Sequence, residues 1–254
     1  MLDNIIKDNS YGIFLFHSQN VVIKRNEIHS NTRDANTWSG KGIAIYTSRD
    51  MADGTLVQGG GDPLPHTNNI LIEDNKIYDN KLYGIELNHS EAYHGGTAGP
   101  FDVDVRIINN EIYNNGGPLD ALGGAYDYMR GISANGNEEN VTVKGNEIYN
   151  HVSTTGARFS SANAAIRINN STNWTIENND IHGNTRGVYA YGTSSDITIK
   201  GDNTFSDNAQ AIVFKNEETG EIKSGITFSN NTDDTWEDDS LDPGDIIYLD
   251  DLPT

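Results

Sequence analysis

Apolar and polar positions along the chain alternate in short runs of three to six residues, and the runs recur in a fixed order. The recurring phrase, with small departures, is N-[VIW]-x-I-x-x-N-x-I-x-x-N, seen as NVVIKRNEIHSN (20–31), NILIEDNKIYDN (69–80), DVRIINNEIYNN (104–115), NVTVKGNEIYNH (140–151) and NWTIENNDIHGN (173–184). A looser copy, DITIKGDNTFSDN, covers 196–208. Each copy is followed by a run of the type Gly-Ile-x-Ile: GIAIY, GIELN, GISAN, AIRIN, GVYAY and AIVFK, with GIFLF ahead of the first. Alternation with period two, bounded by Asn or Gly, predicts strands, and three strands per repeat predict one coil of a solenoid that buries its inner face only by stacking on the next. The expected fold is all-β, a right-handed parallel β-helix of about seven coils. We expect one domain over residues 1–254, with 233–254 as an irregular C-terminal cap.

The asparagine column Asn26, Asn75, Asn110, Asn146 and Asn179 falls at one point of the coil. Asn tolerates the left-handed backbone of a tight turn, and stacked amides bond coil to coil, so this column reads as structural. Insertions locate the working face. From each of these asparagines to the next Gly-Ile or Ala-Ile run the spacing varies between 8 and 21 residues, and from that run to the next asparagine between 14 and 33. Nothing is inserted between the V-x-I and E-I-x strands. Long loops at 32–41, 47–68, 90–103, 116–130 and 152–164 therefore flank the Gly-Ile-x-Ile strands and make a groove along that sheet.

With Ile43, Ile85, Ile132, Ile166, Val188 and Ile212 pointing in, alternation sends two columns outward. One is Phe14, Ala44, Glu86, Ser133, Arg167, Tyr189 and Val213; the other is Phe16, Tyr46, Asn88, Asn135, Asn169, Tyr191 and Lys215. A corner column precedes the strand: Tyr11, Lys41, Tyr83, Arg130, Ala164, Arg186 and Gln210. These side chains are expected to be exposed on a floor long enough for several units of a linear polymer.

Composition changes this picture in one respect. The formal charge is -20, yet Lys41, Arg130, Arg167, Arg186 and Lys215 lie in the floor columns, with Arg33, Arg49, Lys81 and Arg158 in or beside the loops. An acidic body argues against nucleic acid, whereas a basic stripe with Tyr and Asn suits a carboxylated polysaccharide. The bland alternative pairs those cations with neighbouring Asp and Glu. The absence of cysteine leaves compartment undetermined, and no apolar span of membrane length occurs. The expected location is extracellular or periplasmic. Because the sequence opens inside a coil, it is expected to belong to a longer chain or to pair at its N-terminal edge.

The strand Tyr83-Gly84-Ile85-Glu86-Leu87-Asn88 resembles the Y-G-F-D-P-H signature of the mannuronan C5-epimerases, which act on alginate and are related in mechanism to alginate lyases. Tyr83 and Gly84 match, and Glu86 stands where that family has its catalytic Asp. Ile85, Leu87 and Asn88 depart from the pattern, and His66, His89, His94 and His151 border the groove as replacements for the family's His. The resemblance implies a uronate C5-epimerase or β-elimination lyase.

Proton removal at C5 needs the neighbouring carboxylate neutralised, a base at the proton, and an acid for the leaving oxygen or the opposite ring face. Tyr83 lies between Lys41 and Arg130, two cations expected to lower its pKa. The catalytic set is therefore Tyr83, Glu86, Lys41 and Arg130. Arg167, Arg186, Tyr46, Asn88, Asn135, Tyr189, Tyr191 and Trp38 are expected to bind substrate. Tyr83 read blandly is a stacking platform, and Glu86 a salt-bridge partner of Arg130 or Arg167. His29 and His182 sit on the loop-free face with no expected role. Loop acids such as Asp50, Asp53, Asp62, Asp102, Asp104, Asp120 and Asp127 lack a calcium-loop spacing; a structural calcium is left open and no cofactor is required. Two alternatives remain: a glycoside hydrolase using Asp120, Asp127 and Glu86, and a non-catalytic carbohydrate-binding module.

Overall fold

The computed structural model describes residues 1–16, 18–32, 39–46, 67–88, 101–117, 128–136, 138–153, 163–215, 220–237 and 246–248. They form a parallel β-helix of 24 strands in three sheets of eight. The short-strand sheet holds β1 (Ile5–Lys7), β4 (Glu27–His29), β7 (Lys76–Tyr78), β10 (Glu111–Tyr113), β13 (Glu147–Tyr149), β16 (Asp180–His182), β19 (Thr204–Ser206) and β22 (Thr227–Ser229). The Gly-Ile-x-Ile runs form β2 (Tyr11–Phe16), β5 (Lys41–Tyr46), β8 (Tyr83–Asn88), β11 (Arg130–Ala134), β14 (Ala164–Asn169), β17 (Arg186–Tyr191), β20 (Gln210–Lys215) and β23 (Asp233–Glu237). The V-x-I sheet holds β3 (Gln19–Lys24), β6 (Asn68–Glu73), β9 (Phe101–Ile108), β12 (Glu138–Lys144), β15 (Thr172–Glu177), β18 (Ser195–Lys200), β21 (Gly220–Ile222) and β24 (Ile246–Tyr248).

One apolar stack fills the interior, from Ile13 to Ile226, with Trp174, Phe205 and Phe214 as its largest rings. Each coil contributes the inward Ile, Val or Leu of three strands, and a coil removed from its neighbours would leave two apolar faces in water. Eight strands per sheet among the described residues agree with the expected solenoid of about seven coils. The strand β23 reads DDTWE and lacks the Gly-Ile pattern, but it pairs in register with β20. Residues 233–237 and 246–248 thus extend two sheets where an irregular cap was expected; the remainder of 233–254 lies outside the described residues.

The asparagine ladder is present, with one correction to its backbone. The side-chain oxygen of each Asn accepts both the backbone N–H and the amide of the Asn one coil before, at 2.8–3.0 Å along Asn26, Asn75, Asn110, Asn146 and Asn179. The left-handed conformation belongs to the preceding residue in each coil: Arg25 (φ 54), Asp74 (φ 55), Asn109 (φ 54), Gly145 (φ 67) and Asn178 (φ 56). The ladder asparagine supplies the hydrogen bonds, and its neighbour turns the corner.

A second ladder stands at the next corner: Asn9, Asn31, Asn80, Asn115, His151, Asn184, Asn208 and Asn231. His151 is fully buried in it and lies away from the groove, so it does not supply the acid or base expected there.

Candidate functional site

The outer face of the β5–β8–β11–β14–β17 sheet positions the site. At the start of each strand two consecutive residues face inward, as in Gly42-Ile43 and Gly84-Ile85. The first must be small: a Cβ on Gly42 would lie 2.6 Å from the carbonyl oxygen of Gly84 and 2.8 Å from Ile77 Cγ2. The break in alternation throws the residue before the glycine outward, and this places Lys41, Tyr83, Arg130 and Arg186 beside the floor columns.

Register bears out the columns. Phe14, Ala44, Glu86, Ser133, Arg167, Tyr189 and Val213 are successive partners, as are Tyr46 and Asn88, and Asn169, Tyr191 and Lys215. Tyr83 pairs with Arg130, and Arg186 with Gln210. Glu86, Arg167 and Tyr189 lie outside the central apolar stack, as the pattern requires. They are not exposed, however: Glu86 is 3%, Arg167 6% and Tyr189 7% accessible. Coils are about 4.8 Å apart, so long unlike side chains on successive coils reach across and cover one another.

Two connected groups result. Glu86 accepts from Lys41 Nζ, from the Tyr46 hydroxyl at 2.5 Å and from Asn135 Nδ2 at 2.6 Å. It forms an ion pair with Lys41 on the preceding coil, whereas Arg130 on the following coil lays its guanidinium over the rings of Tyr83 and Tyr128. Both Glu86 oxygens are engaged by these three donors, which ties Lys41, Tyr46 and Asn135 into one group. Burial, followed by the Glu86 charge and its hydrogen bond, holds the Tyr46 phenol far above its ordinary pKa.

The second group is cationic. Arg130 Nη1 donates to the Tyr83 hydroxyl at 3.0 Å and lies 3.4 Å from Ser133 Oγ, with its guanidinium over the rings of Tyr83 and Tyr128. Arg167 Nη1 donates to Asn135 Oδ1 at 2.5 Å, to the Ala134 carbonyl at 2.9 Å and to Ser133 Oγ at 3.3 Å, and Tyr191 covers the guanidinium at 4.8 Å. Among the described residues Arg167 makes no ion pair, and its Nε is buried without a partner. Burial, with Arg130 adding repulsion, pulls its pKa down to about 9. Arg186 donates to Gln210 Oε1 at 3.0 Å and stacks 4.5 Å over Tyr189; burial lowers its pKa as well.

Several expectations change. The Tyr83 pKa is pushed up to about 12: burial outweighs Arg130, Glu86 adds to burial, and the Lys41 ammonium sits over the ring at 5.6 Å, not at the hydroxyl. Tyr189 and Tyr191 stack on each other at 5.1 Å and carry arginines, so their faces are occupied by protein groups. Tyr46 and Asn88 are half-buried at the edge of the Glu86 group. Trp38, His66, His89, His94, Asp120 and Asp127 lie outside the described residues. Ser133, the hydroxyl between Arg130 and Arg167, was not expected to matter, although its column position was visible. Among the described residues the one group with metal-binding geometry is Glu147, Asp180 and His182, on the short-strand sheet.

A family model described as "Right handed beta helix region" matches residues 64–234. The chain belongs to the right-handed β-helix family. Among solved structures it is similar to XylC, determined in complex with xylose, at 13% identity and a TM-score of 0.42. The match covers 75% of this chain but only 36% of that one. Comparison with curated proteins gives no match. No helix among the described residues is long and apolar enough to cross a membrane.

Proposed function

We propose that the outer face of β8, β11, β14 and β17 binds a linear, uronate-containing polysaccharide, with a substrate carboxylate on Arg167. The observation that carries this reading is a guanidinium, 6% accessible, that has three hydrogen-bonded neighbours, an aromatic lid and no paired carboxylate among the described residues. A buried unpaired charge costs several kcal/mol. A ligand carboxylate with bidentate geometry would offset that cost. Arg130 and Arg186, one coil to each side, supply further positive potential for a repeating polyanion. Affinity should fall steeply with salt, although protein and ligand are both acidic overall. Arg167→Ala should weaken binding to alginate or pectate oligomers at least tenfold by calorimetry and leave the fold intact. Unchanged affinity, or preference for a neutral glycan, would remove the uronate reading.

Modification by C5-proton abstraction, giving epimerisation or β-elimination, is favoured by the Tyr83–Arg130 contact. Neutralising the uronate on Arg167 acidifies C5–H, and the Tyr83 oxygen, held by Arg130, takes or returns the proton. Such a base, with its pKa near 12, is almost wholly protonated at neutral pH, so turnover should rise about tenfold per pH unit from pH 7. Tyr83→Phe should abolish turnover and preserve binding, read as unsaturated product and as deuterium uptake at C5.

A further inference from the structure

The second ladder has one rung that is not asparagine. At the flanking steps Asn80 Nδ2 reaches Asn115 Oδ1 at 2.9 Å and Asn184 Nδ2 reaches Asn208 Oδ1 at 3.0 Å. Between Asn115 and His151 no rung bond forms, because an imidazole offers no carbonyl oxygen. On its other side His151 is well held: its backbone N–H donates to Asn184 Oδ1 at 3.0 Å and its Nδ1 lies 3.1 Å from the same oxygen. An oxygen that already accepts a backbone N–H is an acceptor for Nδ1 too, so the ring carries its proton on Nδ1. Nε2 is left fully buried without a partner.

From these contacts we infer that His151 is an acid-sensitive joint in the solenoid, beside the strand that carries Arg130 and Tyr83's hydrogen bond. Protonation has only Nε2 to occupy, and it would place a positive charge at full burial with no counterion among the described residues. Among the described residues the groups shown against the ring are Asn184 from the following coil and Gly131 of β11. Neither is titratable, and burial and Asn184 alone act on the imidazole. Arg130, at the start of β11, is engaged with Tyr83, Ser133 and Tyr128. The ring also touches the site's own strand: a Cβ on Gly131 would lie 3.1 Å from His151 Cε1. A ring driven toward water therefore frees the corner at which β11 begins.

Burial lowers the His151 pKa to about 4 from an ordinary 6.5. A depressed histidine binds its proton more readily in the unfolded chain, so its contribution to stability is complete above pH 6.5 and is lost as pH falls toward 4. The test compares the native protein with His151→Asn, which rebuilds the rung found at every neighbouring coil. The ratio of their unfolding constants, from urea titrations, should rise about thirtyfold between pH 7.5 and pH 5, the native protein becoming the weaker. A ratio independent of pH overturns the inference. In the native protein alone, the His151 imidazole followed by NMR should stay neutral to below pH 5, and amide exchange at Thr185, whose N–H bonds the His151 carbonyl at 3.1 Å, should accelerate in acid more than at Ala209, its counterpart one coil on, which bonds Asn184. Titration near 6.5 with no change in that exchange also overturns it.

Discussion

Two outer faces of the same solenoid, the short-strand sheet and the Gly-Ile sheet, carry in-register rows of aromatic and charged side chains, and they use them oppositely. On the short-strand sheet like stacks on like. His29, Tyr78, Tyr113, Tyr149 and His182 form a continuous pile with centroids 4.8–4.9 Å apart and planes within 7°. Charges beside the pile pair within their own column, as Lys76 does with Glu111 at 3.2 Å, half in water. On the Gly-Ile sheet each coil differs from the next, and the side chains join across columns into buried groups that leave Arg167 without a counterion. Repetition of one residue type along a coil position marks a rung of the scaffold. Departure from repetition at buried, outward positions marks the candidate site.

The comparison breaks most sharply at Glu86. Glu86→Ala leaves the buried Lys41 ammonium unpaired and should cost about 3–5 kcal/mol, seen as a lower urea midpoint with unchanged slope. A loss below about 1 kcal/mol would mean that the Gly-Ile face is as solvent-screened as the opposite one.

Next in size is Tyr113→Ala, which opens the middle of the ring pile. It should cost about 1–2 kcal/mol, from aromatic contacts worth about 0.5–1.5 kcal/mol per pair, and leave glycan affinity unchanged. Weakened binding would make the short-strand face part of the site. Arg167→Met is expected to behave in reverse: binding is lost, while stability is equal to or above that of the native protein, because an uncompensated charge is removed. Strong destabilisation would show that Arg167 is a scaffold residue. Lys76→Met should produce the smallest effect, no resolvable shift in midpoint, since exposed ion pairs contribute little.

Sequence alone determined the coil, the strands, the inward column and the face with the insertions, because each is a local rule repeated many times: period-two alternation, an asparagine at a fixed offset, a glycine where two residues turn inward. It also determined which residues share the floor, since parallel register carries every column from coil to coil. It was least informative where repetition ended, at the β23 strand without a Gly-Ile run and at His151, hidden in a ladder whose asparagines were legible one by one as HSN, YDN, YNN and HGN corners. The pairing inside the site was decided by tertiary structure alone. Which cation reaches Glu86, whether Tyr83 is acidified by its neighbours or stiffened by burial, and which arginine lacks a carboxylate depend on side-chain reach and on dielectric. Both are set by the coils above and below, and neither is written in the spacing of any one strand.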